Sequence, residues 1–271
     1  MSRIKNARHY HHMSFSYAAT FKQRVYSLVI VPLFLLVVAF IVISRLGGTE
    51  VSQMGNVTWG YVISALLVTF VRLLIAYGLA LFIAVPLAIL IDYNQRAEKF
   101  FLPLFDIIQS VPVLAFFPVI IVFFVHYNFY NSAAIFILLI TMMWSIIFSV
   151  VGGLRVIPEE IKSAAKVYHI TGWQYVKKVL LPAVFPYIIT GSLLAWAGGW
   201  NIVIVAEVLH TYIPGGARDL FGIGSLLVHS SADGQQRAFF MTLIALVIFV
   251  GLLNLFVWQK LLKYAERFKF E

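Results

Sequence analysis

Three ionisable side chains stand inside long apolar stretches of this chain, where a charge is expensive: Arg72, Asp106 and Glu207. The guanidinium of Arg72, near the middle of its apolar run, must pair, bond to carbonyls or face water, so it is either a structural partner or a pathway residue that attracts an anion. Glu207 is either a structural acid at a helix end or a contact at a gate or partner surface. If the helices are straight, Glu207 and Arg72 differ in depth in the membrane by several residues, so a direct contact between them is not predicted. Asp106 follows Pro103 and is predicted to cap the beginning of its helix.

The residues that usually perform catalysis are missing or scattered. The chain has no cysteine, which excludes thiol catalysis, zinc–thiolate sites and disulfides. It also has no Gly-x-x-x-x-Gly-Lys-Ser/Thr loop, so it is not predicted to hydrolyse ATP by that machinery. His9, His11 and His12 are read as part of a flexible arm, and the other histidines share no ligand spacing. We therefore predict no catalytic residue, no metal site and no cofactor in this chain.

The composition identifies an integral membrane protein. Of the 271 residues, 62% are hydrophobic and only 11% are charged, whereas a soluble domain has about a quarter charged residues. The net charge of +9 falls in terminal segments and loops and forms no basic stripe with aromatic residues, so nucleic acid is not expected as a partner.

Six apolar runs are long enough to cross a bilayer as helices, which takes about 20 residues. They are 28–45, 60–91, 103–125, 132–152, 183–210 and 238–262. Most of the twenty Lys and Arg residues flank these runs on one side, which the positive-inside rule assigns to the cytoplasm. The predicted fold class is all-α: a polytopic membrane protein with six transmembrane helices and both termini cytoplasmic.

The whole chain is predicted to form one domain. Residues 1–27 make a cytoplasmic N-terminal arm, 28–265 the transmembrane domain and 266–271 a cytoplasmic tail. The segment 153–182, between the fourth and fifth spans, is cytoplasmic in this topology. The loop 211–237 lies outside, and its FGIGSLL stretch is predicted to be a short helix at the outer surface.

Two spans contain residues that bend helices or bring them close together. Pro103, Pro112 and Pro118 are predicted to bend the third span. Gly198-Gly199 in the fifth span permits tight helix packing. Asn201, next to that pair, is a candidate pore-facing group.

The segment 158–182 puts a Lys-bearing helical patch between two apolar runs. Its first helix is predicted to begin at Pro158 and to place four residues on one face: Ile161, Ala164, Ala165 and Tyr168. A break at Thr171-Gly172 precedes a second short helix that carries Trp173 and ends before Pro182. The pair either rests on lipid headgroups or fits a groove on a cytoplasmic partner.

The second of these alternatives is favoured by a resemblance. Ala164-Ala165, Trp173 and Leu181-Pro182 resemble the EAA loop of permease subunits of binding-protein-dependent ABC importers. In that family the loop is the coupling helix that docks on the ATP-binding subunit. This chain departs from the family pattern at two positions, because Ser163 replaces the usual Glu and His169 replaces the usual Gly.

The resemblance implies a set of residues that couple the chain to an ATPase. They are Glu159, Ser163, Ala164, Ala165, Tyr168, His169, Gly172, Trp173, Leu181 and Pro182. The resemblance further implies that ATP and Mg²⁺ bind to a partner ATPase, that a second permease copy or a paralogue completes a dimer, and that a solute-binding protein docks outside. The expected location is the cytoplasmic membrane of a bacterium or archaeon.

Further stretches resemble the nitrate, sulfonate, taurine and bicarbonate branch of these permeases. They are SALLVTFVRLLIAYGLALFIAVPLAIL, FDIIQSVPVLAFFPVIIVFF, GGWNIVIVAEVL and FGIGSLL. The WNIVIVAE stretch is similar to duplicated anion permeases. The implied function is import of a small anion along a pathway to which Arg72, Asn201 and Glu207 are assigned. Two other classes stay open: an ion-coupled carrier or channel, and a membrane-embedded enzyme.

Overall fold

Helices account for all the regular structure in the residues that the computed structural model describes, which are 57–126, 129–209 and 219–268. We number the α-helices in chain order. They are α1 Trp59–Tyr93, α2 Gln95–Ser110, α3 Val113–His126, α4 Tyr130–Arg155, α5 Glu159–Val167, α6 Gly172–Tyr175, α7 Leu181–Glu207, α8 Ile223–Ala232, α9 Gln236–Leu253 and α10 Gln259–Ala265. Two π-helical turns, Val176–Leu180 and Asn254–Trp258, join α6 to α7 and α9 to α10, and the 3₁₀ turn Glu266–Phe268 follows α10.

Four stretches of helix are long and apolar enough to cross a membrane: α1, α4, the continuous helix Gly172–Glu207, and Gln236–Phe268. The pair α2 and α3 is a fifth candidate, bent by 83°. The predicted all-α class with several spans is therefore confirmed for the described residues. The first predicted run, 28–45, lies outside them, so the total of six spans and the placement of the termini stay predictions.

The central helix of the bundle is α4, which packs along both α1 and α7. Four alanines at every fourth position of α1 are fully buried: Ala76, Ala80, Ala84 and Ala88. Small side chains at this spacing let helix backbones approach closely, which is how many membrane helices pack. In α7, a Cβ atom on Gly199 would lie 2.8 Å from Cδ2 of Leu73. The tight packing predicted at Gly198-Gly199 is thus found at the second glycine.

The third predicted span is interrupted at Val111 and Pro112, between α2 and α3. A proline has no N–H to donate and disfavours helical angles in the residue before it, and Val111 is indeed extended, at φ −78° and ψ 124°. Pro103 and Pro118 lie inside α2 and α3. Of the three prolines predicted to bend this span, Pro112 is the one at which the chain leaves the helical conformation.

Asp106 was predicted to lie at the beginning of its helix, but it does not. α2 begins at Gln95, where the side chain of Asn94 accepts a hydrogen bond from the backbone N–H of Arg96 at 3.0 Å. Asp106 lies near the other end of α2 and accepts a hydrogen bond from Gln109 at 2.9 Å. The prediction was wrong because the polar, amphipathic stretch before the apolar run is helical too.

One end of the bundle, which we call the basic end, carries the helix pair and most of the described Lys and Arg residues. There Arg155, at the end of α4, pairs with Glu98 in the first turn of α2. The second helix of the pair was predicted to end before Pro182, but the π-turn Val176–Leu180 continues α6 directly into α7. The second helix of the pair and the fifth span are one helix.

At the opposite end, α8 packs against α1, α7 and α9. The predicted helix in FGIGSLL is present, but it does not lie at the surface. Its first residues are buried: Ile223, Gly224, Ser225, Leu226 and Leu227. Leu226 packs with Val62 and Ala65 of α1, in the part of that helix that extends beyond the end of α7. The long neighbouring helix therefore covers a segment that would otherwise be exposed.

Candidate functional site

Arg72 and Glu207 form a salt bridge inside the protein. The distance between Nη1 of Arg72 and Oε1 of Glu207 is 2.6 Å, and the two side chains are 1% and 0% exposed. The prediction that they do not touch was wrong because it assumed that all spans begin at the same level. α1 begins at Trp59, so Arg72 lies about 20 Å along it, at 1.5 Å per residue. At that level it meets the last residue of α7 and, through Nε at 3.0 Å, Oδ1 of Asn131 in the first turn of α4.

Both oxygens of the Glu207 carboxylate have further donors. The hydroxyl of Thr69 donates to Oε1 at 2.7 Å, and the backbone N–H of Gly224 donates to Oε2 at 2.8 Å. The Thr69 hydroxyl in turn accepts from the backbone N–H of Ile223 at 2.8 Å. Buried charges are tolerated when they are paired and fully hydrogen-bonded, and this carboxylate meets that condition.

Two glycines allow the N-terminus of α8 to lie in direct contact with the carboxylate of Glu207. A Cβ atom on Gly222 would lie 2.3 Å from the carboxylate of Glu207, and one on Gly224 would lie 2.7 Å from Cα of Ile204. Real Cβ atoms essentially never approach this closely. The N-terminus of α8 therefore contributes its positive end and a free N–H to the same acid that neutralises Arg72.

We call Thr69, Arg72, Asn131, Glu207 and Gly224 the ionic cluster. The sequence analysis selected Arg72 and Glu207 but missed the other three. Thr69 stands one helical turn before Arg72, and a Gly-x-Gly precedes the apolar run of α8, so both signals were present in the sequence. Asn201 is not part of the cluster and is exposed on α7.

At the basic end, the helix pair exposes two large aromatic side chains. Tyr168 and Trp173 are 77% and 73% exposed, and Ser163 and Ala164 lie exposed on α5. Ala165 was predicted to share a face with Ala164 and Tyr168, but it is 4% exposed and packs inward. The prediction was wrong because neighbouring helix positions point about 100° apart and because α5 ends at Val167, before Tyr168.

The other predicted coupling residues differ in their accessibility. Glu159 and Gly172 are exposed, whereas Leu181 and Pro182 are half-buried at the beginning of α7. Lys162 donates a hydrogen bond to Glu159 at 2.8 Å, which lowers the pKa of that carboxyl below its ordinary value. The pair is one helical turn apart and supports the first turn of α5.

His169, the second residue after the end of α5, adopts a left-handed conformation, with φ at 52°. The N–H of Ile170 donates to the carbonyl of Ala165 at 2.9 Å, and the N–H of His169 donates to that of Lys166 at 3.0 Å. These two bonds define the Schellman motif, whose left-handed position usually holds glycine. The left-handed conformation explains why glycine is usual at this position. His169 adopts the same backbone conformation although it is not a glycine.

The described ranges contain no group of three or more His, Asp or Glu side chains arranged to hold a metal ion. The continuous helix Gly172–Glu207 joins the exposed aromatic side chain of Trp173 at one end to the closed ionic cluster at the other.

Comparisons with known proteins agree on one family. Residues 76–264 match the family described as binding-protein-dependent transport system inner membrane component. The bicarbonate transport system permease protein CmpB of Synechococcus elongatus is 30% identical over 179 residues, which are 66% of this chain and 59% of the relative. The nitrate import permease protein NrtB of Leptolyngbya laminosa is 32% identical over 184 residues, 68% of this chain and 61% of the relative. The chain thus spans less than two thirds of the length of these two relatives.

A more distant relative and a solved structure extend the comparison. The putative aliphatic sulfonates transport permease protein SsuC of Bacillus subtilis is 23% identical over 213 residues, 78% of this chain and 73% of the relative. A chain of the MetNI methionine ABC transporter in an inward-facing conformation superposes with a TM-score of 0.64 at 18% identity, over 78% of this chain and 99% of that one. This last match shows that the fold is shared. The resemblance inferred from the sequence motifs is confirmed by these matches.

Proposed function

Because this chain belongs to the family of binding-protein-dependent transport system inner membrane components, we propose that it is the permease subunit of an ABC importer. In this proposal a partner ATPase binds ATP and Mg²⁺ and supplies the energy. The observation that carries the proposal is the exposed aromatic surface of the helix pair, which is continuous with a membrane span.

The docking surface consists of Ser163, Ala164, Tyr168 and Trp173. Large apolar side chains exposed in a polar, charged segment are typical of a protein contact, because a surface without a partner exposes few of them together. Ala164, a small residue beside the two aromatic rings, leaves space for a partner to approach. His169 and Gly172 form the turn that sets the angle between α5 and α6. This turn faces the cytoplasm in the proposed topology.

Coupling follows from the way the surface is connected. Trp173 lies in the first turn of a continuous helix that ends at Glu207. A movement of the ATPase against Trp173 therefore moves a transmembrane helix directly. Alternating access would result when two such subunits, this chain and a second copy or paralogue, are moved together around a central pathway.

We assign different roles to the three proposed pathway residues. Asn201 is exposed on α7 and is the candidate for contact with the transported anion. Arg72 and Glu207 neutralise each other inside the chain, so we propose that they serve the pathway by holding α8 against α1 and α7. In the proposed topology α8 lies at the external end, where the solute-binding protein would dock.

The proposed substrate is a small anion. Two relatives that match at 30% identity or more are named for bicarbonate and nitrate, and a third, at lower identity, for sulfonates. The matched region covers only part of those proteins, so the choice among bicarbonate, nitrate and sulfonate is left to the solute-binding protein in this proposal.

The proposal is tested by the variants Ala164→Asp and Trp173→Asp, each co-expressed with the partner ATPase. Each substitution places a negative charge on the exposed docking surface and leaves the buried side chains of the bundle unchanged. We expect the variant chains to insert in the membrane, to lose co-purification with the ATPase and to lose ATP-driven anion uptake.

Trp173→Phe is the matched control, since it keeps an aromatic ring at the same position and should retain the complex. Ala165→Asp is unsuitable because that side chain is buried in the chain itself. Undiminished co-purification of Trp173→Asp would refute the docking surface.

A further inference from the structure

A groove of about 400 Å³ opens at the basic end, between the helix pair and the last described turn of the chain. Its apolar lining includes Ile161 of α5, Val179 and Pro182 near the beginning of α7, and Phe268. Two cations, Lys178 and Arg267, line the same groove. It therefore combines an apolar floor with two positive charges at the boundary between membrane spans and polar loops.

The wall formed by the last described turn is held in place by aromatic contacts. The ring of Phe268 packs on that of Phe185 in α7 with centroids 5.2 Å apart, and Tyr264 contacts both rings. The guanidinium of Arg267 lies 5.9 Å from the centre of the Tyr264 ring. Arg267 is thus directed by a packed neighbour, and the groove is a feature of the folded bundle.

The charges of the groove are not neutralised within the described part of the chain. None of the ion pairs found there includes Lys178 or Arg267. The N-terminal arm is an unsuitable occupant because residues 1–27 carry five Lys and Arg residues and no Asp or Glu. Charge complementarity therefore requires an anionic occupant, and the apolar lining requires one with a hydrocarbon part.

We infer that this groove binds an anionic phospholipid, with the phosphate between Lys178 and Arg267 and an acyl chain along Val179, Pro182 and Phe268. Basic pockets between transmembrane helices commonly bind anionic headgroups in this way. The lipid joins the helix pair to the C-terminal helix, two elements that both flank α7. The inference does not depend on the transported substrate.

The test measures lipid binding to the purified full-length chain by native mass spectrometry. The probes are phosphatidylglycerol, which is anionic, and phosphatidylcholine, which is zwitterionic and of equal chain length. We expect tighter binding of phosphatidylglycerol. The double variant Lys178→Gln, Arg267→Gln should lower that affinity about 25-fold, at about fivefold per charge, and should lower phosphatidylcholine binding much less, because the choline cation offsets the phosphate charge.

The matched control is Lys166→Gln, Lys260→Gln, which removes the same charge from two exposed positions that do not line the groove. It should leave phosphatidylglycerol binding unchanged. Val179→Phe fills the apolar part of the groove without changing its charge, and it should weaken phosphatidylglycerol binding as well. An equal loss in the control and the groove variant would overturn the inference.

Two further outcomes would also overturn it. If soluble glycerol phosphate displaced phosphatidylglycerol at equal concentration, the groove would be a site for a water-soluble anion. If Glu271→Gln raised the affinity for phosphatidylglycerol as much as the double variant lowered it, the side-chain carboxylate of Glu271 would be the natural occupant.

Discussion

At the scale of single residues, the ionic cluster is the most constrained part of the molecule. Arg72 and Glu207 are both fully desolvated, which costs several kcal/mol per ion. The cost is offset by their mutual attraction and by hydrogen bonds from Thr69 and Gly224. An intact ion pair in such an environment adds little to the stability of the fold. Removing one partner is strongly destabilising, because it leaves the other charge buried and unpaired.

Glu207→Gln should therefore be one of the most destabilising substitutions in the chain. It keeps the shape of the side chain but leaves the Arg72 guanidinium buried without a negative partner. We expect the free energy of unfolding to fall by about 3–5 kcal/mol. Chemical unfolding of the purified chain, followed by tryptophan fluorescence, measures this loss.

Two comparisons make this result specific. The double variant Arg72→Met, Glu207→Gln removes both charges, and it should lose less than the sum of the single variants. Glu98→Gln breaks the partly exposed pair with Arg155 and should cost less than about 1 kcal/mol. Strict additivity in the double variant would argue against an ion pair that stabilises the fold.

At the scale of elements, the end of α5 shows how one residue sets the geometry of the helix pair. The left-handed conformation of His169 costs an L residue about 1–2 kcal/mol, whereas glycine adopts it freely. Glycine loses about 0.5–1 kcal/mol through its greater freedom in the unfolded chain. The balance favours glycine by roughly half to one kcal/mol, from the difference of those two values.

His169→Gly should accordingly make the Schellman turn more stable. We expect amide hydrogen exchange at Ile170, whose N–H donates to Ala165, to slow by about two- to fivefold, as the energy difference implies. His169→Ala is the control, because it removes the imidazole but retains the strained backbone. Equal slowing in both variants would mean that the ring, and not the backbone, is responsible.

The elements that the sequence predicted well are those defined by apolar length. The runs 60–91 and 132–152 became α1 and α4 within a few residues. The contact between Arg72 and Glu207 was missed because hydropathy locates a helix along the chain but does not fix its height relative to its neighbours. The continuity of α6 with α7 was missed because Pro182 suits the first turn of a helix and equally suits a position just after a π-turn.

The sequence located the helix pair as a segment, but it did not give the burial of each side chain in it. The resemblance selected Ala165 together with Ala164, yet only the three-dimensional packing reveals that Ala165 points inward. By contrast, the departure from the family pattern at position 169 was visible in the sequence. The left-handed backbone angle at this position explains why glycine is usual there.

At the scale of the whole molecule, the charge distribution predicts a defined orientation in the membrane. The basic end carries Lys166 on α5, and the turn at Asp233 between α8 and α9 lies at the opposite end. The positive-inside rule predicts that the basic end faces the cytoplasm.

Cysteine labelling can test this orientation, because the chain has no cysteine of its own and each variant introduces a single thiol. In intact cells, Asp233→Cys should react with a membrane-impermeant maleimide, whereas Lys166→Cys should react only after the membrane is opened. Both positions are exposed, so a difference reports sidedness and not burial. Reaction of Lys166→Cys in intact cells would reverse the topology.

The π-turn Val176–Leu180 has a mechanical consequence for the 36-residue helix that contains it. That helix is about 54 Å long, so a tilt of about 5° at one end displaces the other by about 5 Å. Such a displacement would pull the Glu207 carboxylate out of hydrogen-bonding range of Gly224. A push on Trp173 must therefore either open the contacts at the far end or be absorbed as flexure at the widened turn, and the stiffness of those five residues determines which occurs.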